Sequence, residues 1–146
     1  MTKKGKNDSV FHNLVEPIIP RFELKDILQV IIGAAILAVP IGFTEETWVL
    51  GGTLPMINII GLLVLSVLFI SLFTYYQYHK HTNHEHFDTF ATRVVVTYLM
   101  SFVVVSLIMT LIQRAPWWYD PLLAFKRVVI VTFPSALSAA IADTLR

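Results

Sequence analysis

The chain has 146 residues and a formal net charge of +1, and 55% of its residues are apolar whereas only 14% are charged. With a mean hydropathy of +0.67, this composition is typical of an integral membrane protein. The lack of cysteine excludes disulfides, thiolate metal sites and a cysteine nucleophile. The nearly balanced charge argues against a nucleic-acid partner.

Four apolar stretches predict four membrane-spanning helices. Residues 54–78 and 94–113 contain no charged residue, and each stretch is long enough to cross the roughly 30 Å hydrocarbon core as a helix. Two shorter stretches, 27–43 and 128–142, need their flanking residues to reach that length. The sequence therefore predicts an all-α, four-helix transmembrane bundle. Residues 1–26 form a cytoplasmic tail and interfacial segment, and residues 27–146 form the transmembrane domain, with spans at about 27–48, 54–78, 93–113 and 122–143.

The distribution of lysine and arginine predicts the orientation of the bundle. Eight of the 11 basic residues fall in the N-terminal tail, around the second loop and at the C-terminus, all on one side of the predicted membrane. Because cytoplasmic segments are enriched in these residues, we expect a multi-pass protein of the cell membrane with both termini in the cytoplasm. Trp48 and the run Trp117-Trp118-Tyr119 then fall at the outer interface, where aromatic side chains are enriched.

Glu45 and Glu46 are the first candidate site. Extending the first span through Trp48 places both carboxylates inside the outer end of its helix. A charge at membrane depth usually faces a bundle interior or a water-filled cavity. Pro40 lacks an N–H group and weakens the helix before the pair, so a kink there would aim a glutamate inward. We therefore expect Glu46 to be partly buried and to face protein.

The same stretch carries a recognisable pattern. Gly33-Ala34-Ala35, Pro40 and Thr44-x-Glu46-x-Trp48 together cover about 16 residues. This pattern resembles the first-helix motif of an uncharacterised family of small prokaryotic integral-membrane proteins, a domain of unknown function. The resemblance implies a membrane-bundle architecture and marks Glu46, rather than Glu45, as the motif glutamate. It implies no activity.

A cation channel or transporter is the functional interpretation of the acidic pair. Four helices can hardly enclose a wide aqueous path, so transport implies a homo-oligomer in the lipid bilayer, with a ring of Glu46 carboxylates attracting inorganic cations. A single buried glutamate could instead carry a proton. In the alternative interpretation, the glutamates face the outer water or pair with Lys126 or Arg127, which should lie at a similar depth. The predicted pathway residues are Glu46, Glu45, Thr44 and Asn58.

A histidine cluster forms the second candidate site. The second loop contains four of the five histidines within eight residues, namely His79, His81, His84 and His86. Imidazoles suit a divalent metal such as zinc, nickel or copper, although on one continuous helix these four could not converge. The cluster supports an alternative function, a non-transporting accessory or metal-sensing protein that the bundle anchors. The simpler interpretation is a polar, pH-sensitive surface loop.

A third set of charges lies at the predicted inner face. Asp143, Arg93 and Lys25 end three different helices with opposite charges. Ion pairing that fixes the bundle is favoured over a role at the inner mouth of a pathway, because carboxylates at span ends are common.

We expect no enzymatic activity. The serines of the spans have no histidine at matching depth to activate them, and the His-Glu-x-x-His pattern of zinc proteases is absent.

Overall fold

The computed structural model describes the backbone of residues 24–81 and 87–144 and the side chains of residues 24–77 and 90–144. These residues form five α-helices and contain no strand. All helices but the second are long and apolar enough to cross a membrane, which confirms the predicted all-α fold with four candidate spans. The helices are α1 (Leu24–Gly42), α2 (Glu45–Thr53), α3 (Met56–His81), α4 (Phe87–Leu111) and α5 (Pro121–Thr144).

Helix α5 lies at the centre of the bundle. It contacts each of the other four helices, whereas the described parts of α1 and α3 do not touch each other. The small residues Ser135, Ala136, Ala139 and Ala140 of α5 are buried. Small side chains let helix backbones approach closely, which favours helix association where lipid removes the hydrophobic driving force. The composition of α5 therefore explains its central position.

Helices α1 and α5 pack closely and run antiparallel. A Cβ atom on Gly33 would lie only 2.6 Å from Cβ of Ala142, whereas a Cβ atom on Gly42 would lie 3.9 Å from Cγ1 of Val131. Residues later in α1 thus face residues earlier in α5. It follows that the start of α1 and the end of α5 lie at the same end of the bundle.

Two names are used below for the ends of the bundle. The aspartate end contains the buried residues Asp26 and Asp143. The glutamate end contains Glu45 and Glu46, at the start of α2.

The interior of the bundle near the glutamate end is apolar. A cluster of buried apolar side chains from α1, α4, α5 and the connection after α4 fills it, and Trp48 and Trp117 pack against this cluster. The cluster consists of Ala38, Val105, Met109, Ala115, Ala124, Val128 and Val131. A single chain is therefore closed to water at this level, because the space between its helices is occupied by side chains.

Candidate functional site

The first spanning helix ends before the acidic pair. Pro40 lies inside the last turns of α1, which stops at Gly42, and α2 begins at Glu45. Proline cannot donate a backbone hydrogen bond and its ring crowds the preceding turn, so the helix is weakest here. The predicted continuation of this helix through Trp48 is therefore wrong. The helix is interrupted at Phe43 and Thr44.

Side chains of the next segment close the open end of α1. The hydroxyls of Thr44 and Thr47 donate to the carbonyl oxygen of Ile41 at 2.7 and 3.0 Å. The indole Nε1 of Trp48 donates to the carbonyl oxygen of Gly42 at 2.8 Å. The last carbonyls of a helix have no partner within the helix, and unsatisfied backbone groups are costly at membrane depth. Thr44 and Trp48 of the sequence motif thus have a structural role.

Glu45 and Glu46 have no such role in the described part of the chain. Both side chains are exposed, and neither forms a hydrogen bond or ion pair with a described residue. The expected burial of Glu46 within a single chain is therefore wrong. Both carboxylates occupy the first turn of α2, where the positive end of the helix dipole favours negative charge. This position accounts for an acidic residue there but leaves both carboxylates open to a ligand or a second chain.

A shallow, open depression lies beside the glutamates. It has a volume of about 650 Å³ and is lined by Thr44, Glu45, Glu46, Val49 and Leu50. Its walls combine two carboxylates with the exposed aliphatic side chains of Val49 and Leu50. The depression therefore offers negative charge at the edge of an apolar surface.

The basic residues at this end bind backbone carbonyls. Nζ of Lys126 donates to the carbonyl oxygen of Leu54 at 3.1 Å. Nε of Arg127 donates to the carbonyl oxygen of Trp48 at 3.2 Å, and its Nη1 donates to that of Arg114 at 2.8 Å. Within the described residues, Lys126 and Arg127 form no ion pair with Glu45 or Glu46. These two cations tie α2 and the end of α4 to α5.

Two further charged groups at the glutamate end are also engaged. The guanidinium carbon of Arg114 lies 3.7 Å from the centre of a Trp48 ring, a geometry that stabilises a cation over an aromatic face. Asp120 accepts a hydrogen bond of 3.1 Å from the backbone N–H of Leu123 and so caps the start of α5. Glu45 and Glu46 therefore differ from these neighbouring charges, which all have partners.

Asn58, the remaining predicted pathway residue, is exposed near the start of α3. Its side chain makes no hydrogen bond to any residue in the described ranges. Asn58 therefore forms no cross-helix hydrogen bond with a described residue, and it does not line the depression beside the glutamates.

At the aspartate end, Arg93 and Asp143 form a buried ion pair. Nε and Nη2 of Arg93 lie 2.9 and 2.7 Å from Oδ2 of Asp143. Lys25 is exposed. Asp26, which the sequence analysis missed, is only 4% exposed. Its spacing from Val30 and Gly33 places all three on one helical face, and this periodicity could have identified the face but not its burial.

The four predicted metal ligands are the histidines at and just after the end of α3 in the sequence. The side chains of His79, His81, His84 and His86 lie outside the described residues.

Three apolar helices packed around a fourth, α5, with the charged residues of the described ranges near the two ends, define a multi-span integral membrane protein. The chain belongs to the family of integral membrane proteins DUF2391, whose family model matches residues 3–145. The function of this family is unknown, and the predicted membership of an uncharacterised membrane-protein family is thus confirmed. No curated protein and no solved structure matches the chain.

Proposed function

We propose that the protein is a small cation channel or transporter whose acidic site is Glu46, with Glu45 beside it. One observation carries the proposal. Within the segment from Thr44 to Trp48, both end residues make bonds that close α1, whereas Glu46 is exposed and has no partner among the described residues. An exposed carboxylate close to a membrane span is available to attract cations.

The charge environment supports a cation rather than an anion. Lys126, Arg127 and Arg114 stand at the same end of the bundle, but their cationic groups contact backbone carbonyls or the Trp48 ring. They do not neutralise the two glutamates through a direct pair. A passing cation would therefore meet uncompensated negative charge, which lowers its free energy where part of its water shell is lost.

The path is proposed to run between copies of the chain. The interior of one chain near the glutamate end is filled by aliphatic side chains such as Val105, Met109 and Val128. A cation crossing that interior would lose its hydration without gaining oxygen ligands, at a cost of many kcal/mol. Glu46 lies on the outer surface of the chain, so copies arranged around an axis could present a ring of carboxylates to a shared aqueous path. The proposal thus includes a homo-oligomer and assigns no enzymatic activity.

Ion flux tests this proposal directly. Purified protein reconstituted into liposomes should pass cations such as K⁺ and exclude chloride. In Glu46→Gln, cation flux should fall at least about tenfold, a loss that corresponds to about 1.4 kcal/mol of cation stabilisation. The matched control is Glu45→Gln, which removes the neighbouring charge about 100° away on the helix and should reduce flux less.

Two results would oppose the proposal. Liposomes that contain folded wild-type protein but pass no cation would remove the transport function. A Glu46→Gln variant that conducts as well as the wild type would remove the role of this residue. Thermal unfolding of both variants should stay within about 1 kcal/mol of the wild type, because each loses only its interaction with the dipole of α2 and neither glutamate has a described partner to lose.

The alternative function rests on the histidine cluster. Four imidazoles within eight residues favour a membrane-anchored accessory or metal-sensing protein that binds a divalent metal at one end of the bundle. Calorimetry with zinc or nickel should then show binding that is lost when His79, His81, His84 and His86 are all replaced by Ala. Equal heats for the two proteins would exclude this alternative.

A further inference from the structure

The ion pair at the aspartate end provides contacts to only one of the two carboxylate oxygens of Asp143. Both contacts from Arg93 end at Oδ2 of Asp143. The other oxygen, Oδ1, is buried and has no hydrogen-bond partner, and Asp143 as a whole is only 4% exposed. A buried carboxylate oxygen without a donor loses its hydration and gains nothing in exchange. Oδ1 therefore needs a donor that the described protein groups do not supply.

Tyr98 carries a second buried polar group without a hydrogen-bond partner, and it belongs to the packing between α4 and α5. Its side chain is 9% exposed, and its hydroxyl is buried without a hydrogen-bond partner. Tyr98 packs in one cluster with Ala136 and Ala140 of α5. Asp143 follows Ala140 by three residues and shares this face of α5, since side chains three and four residues apart lie on one side of a helix. The two unsatisfied groups thus belong to the same contact between α4 and α5.

The directions of the two helices incline the two side chains toward each other. Arg93, early in α4, bonds to Asp143, late in α5, whereas Arg114, just after α4, accepts a bond from Arg127, early in α5. The two helices are therefore antiparallel. A helical side chain leans toward the N-terminus of its own helix, so Tyr98 leans toward the aspartate end and Asp143 leans away from it, toward Tyr98. No direct hydrogen bond joins their unsatisfied atoms.

We propose that the space between Oδ1 of Asp143 and the hydroxyl of Tyr98 binds one water molecule. The water donates to Oδ1 and accepts from the tyrosine hydroxyl, so both groups gain a partner. Buried waters bind in this way where two to four polar groups lack partners. A metal cation fits less well, because it would lie beside the positive guanidinium of Arg93, which already binds Asp143. This site is independent of the proposed acidic site, which lies at the glutamate end of the bundle.

The variant Tyr98→Phe tests the proposed water site, because a bound water and an unsatisfied hydroxyl predict different changes in the thermal midpoint. If the hydroxyl binds water, its removal breaks a buried hydrogen bond, and the thermal midpoint in detergent should fall by about 2–4 °C. If the hydroxyl is merely unsatisfied, its removal relieves a desolvation cost, and the midpoint should stay the same or rise. The matched control is Tyr119→Phe, which removes a hydroxyl from a side chain that is 93% exposed and should change nothing.

Two further measurements test whether a water molecule joins Asp143 and Tyr98. In a chain that carries Arg93→Met together with Asp143→Leu, the fall in midpoint caused by Tyr98→Phe should disappear or reverse, because the water has lost its second partner and the hydroxyl is then unsatisfied. A crystal structure that resolves water should show one peak within hydrogen-bonding distance of both atoms, and that peak should be missing in Tyr98→Phe. A peak with the shorter contacts and larger coordination number of a metal ion, or no peak at all, would overturn the proposal.

Discussion

Gly33 of α1 lies against Ala142 of α5 so closely that a Cβ atom at position 33 would be 2.6 Å from the Cβ of Ala142. The same atom would lie 2.9 Å from Cα of Ala139 and 3.0 Å from the carbonyl oxygen of Ser138. Two of these three neighbours are backbone atoms, which cannot rotate away. Only glycine allows α1 to approach α5 at this distance, and the approach holds the first span to the centre of the bundle.

Gly33→Ala should separate α1 from α5. We expect the free energy of unfolding to fall by about 1–3 kcal/mol, the usual cost of overpacking a close contact. Gly61→Ala is the matched control, because no atom lies within 4 Å of a Cβ at that position in α3. The control should be neutral or slightly stabilising, since alanine favours helix over glycine. Equal responses of the two variants in thermal unfolding would contradict the close approach.

Removing one partner of the Arg93–Asp143 pair should destabilise the protein strongly. Both side chains are largely shielded, with 14% and 5% of their side-chain surface exposed. Asp143→Leu removes the buried carboxylate that the Arg93 guanidinium binds at two nitrogen atoms, and we expect a loss of about 3–5 kcal/mol in the free energy of unfolding. The double variant Arg93→Met with Asp143→Leu should recover part of this loss. A double variant less stable than Asp143→Leu alone would show that the pair is not the source of the effect.

Adjacent glycines in α2 provide another matched comparison. A Cβ atom on Gly51 would collide with Cγ of Arg127, whereas one on Gly52 would meet no atom within 4 Å. Gly51→Ala should therefore displace Arg127 and weaken its hydrogen bonds to Trp48 and Arg114, at a cost of about 1–3 kcal/mol. Gly52→Ala should leave thermal stability unchanged or improve it. The prediction fails if Gly52→Ala is the more harmful change.

Trp48 should contribute to stability through its indole nitrogen. Trp48→Phe keeps an aromatic ring but loses the hydrogen bond to the carbonyl oxygen of Gly42. We expect a cost of about 1–3 kcal/mol, because a carbonyl at the end of α1 is left without its donor. Trp118→Phe should have little effect in the same unfolding assay, since Trp118 is 94% exposed. If Trp118→Phe lost stability and Trp48→Phe did not, the predicted roles of the two tryptophans would be wrong.

The orientation of the bundle can be measured by cysteine labelling, because the natural chain contains no cysteine. We expect Glu46→Cys to react with a membrane-impermeant maleimide added outside intact cells, whereas Lys25→Cys should react only after the membrane is opened. This result follows if the basic tail is cytoplasmic and the glutamate end is outside. Outside labelling of Lys25→Cys alone would invert the orientation, and outside labelling of both variants would exclude the four-span topology, because the two positions flank the first span.

The sequence by itself determined the all-helical class of the molecule and the number of its candidate spans. Residues 54–78 and 94–113 lack charged residues over membrane-spanning lengths, and only a helix satisfies its backbone within such a segment. Pro40 indicated a weak point in the first span because its missing N–H group is a local property. These features depend on single residues or on length, so no knowledge of the neighbouring helices was needed.

Only the tertiary structure decided which groups meet. The sequence suggested that Lys126 and Arg127 could pair with the glutamates, but these side chains reach the carbonyls of Leu54 and Trp48 instead. Carbonyls left open at helix ends compete for such donors, and which of them lie within reach depends on how α2 folds back against α5. The burial of Asp26 and Tyr98 was decided in the same way. Helical periodicity assigns residues to a face, whereas the packing of the other helices determines whether that face meets protein, lipid or water.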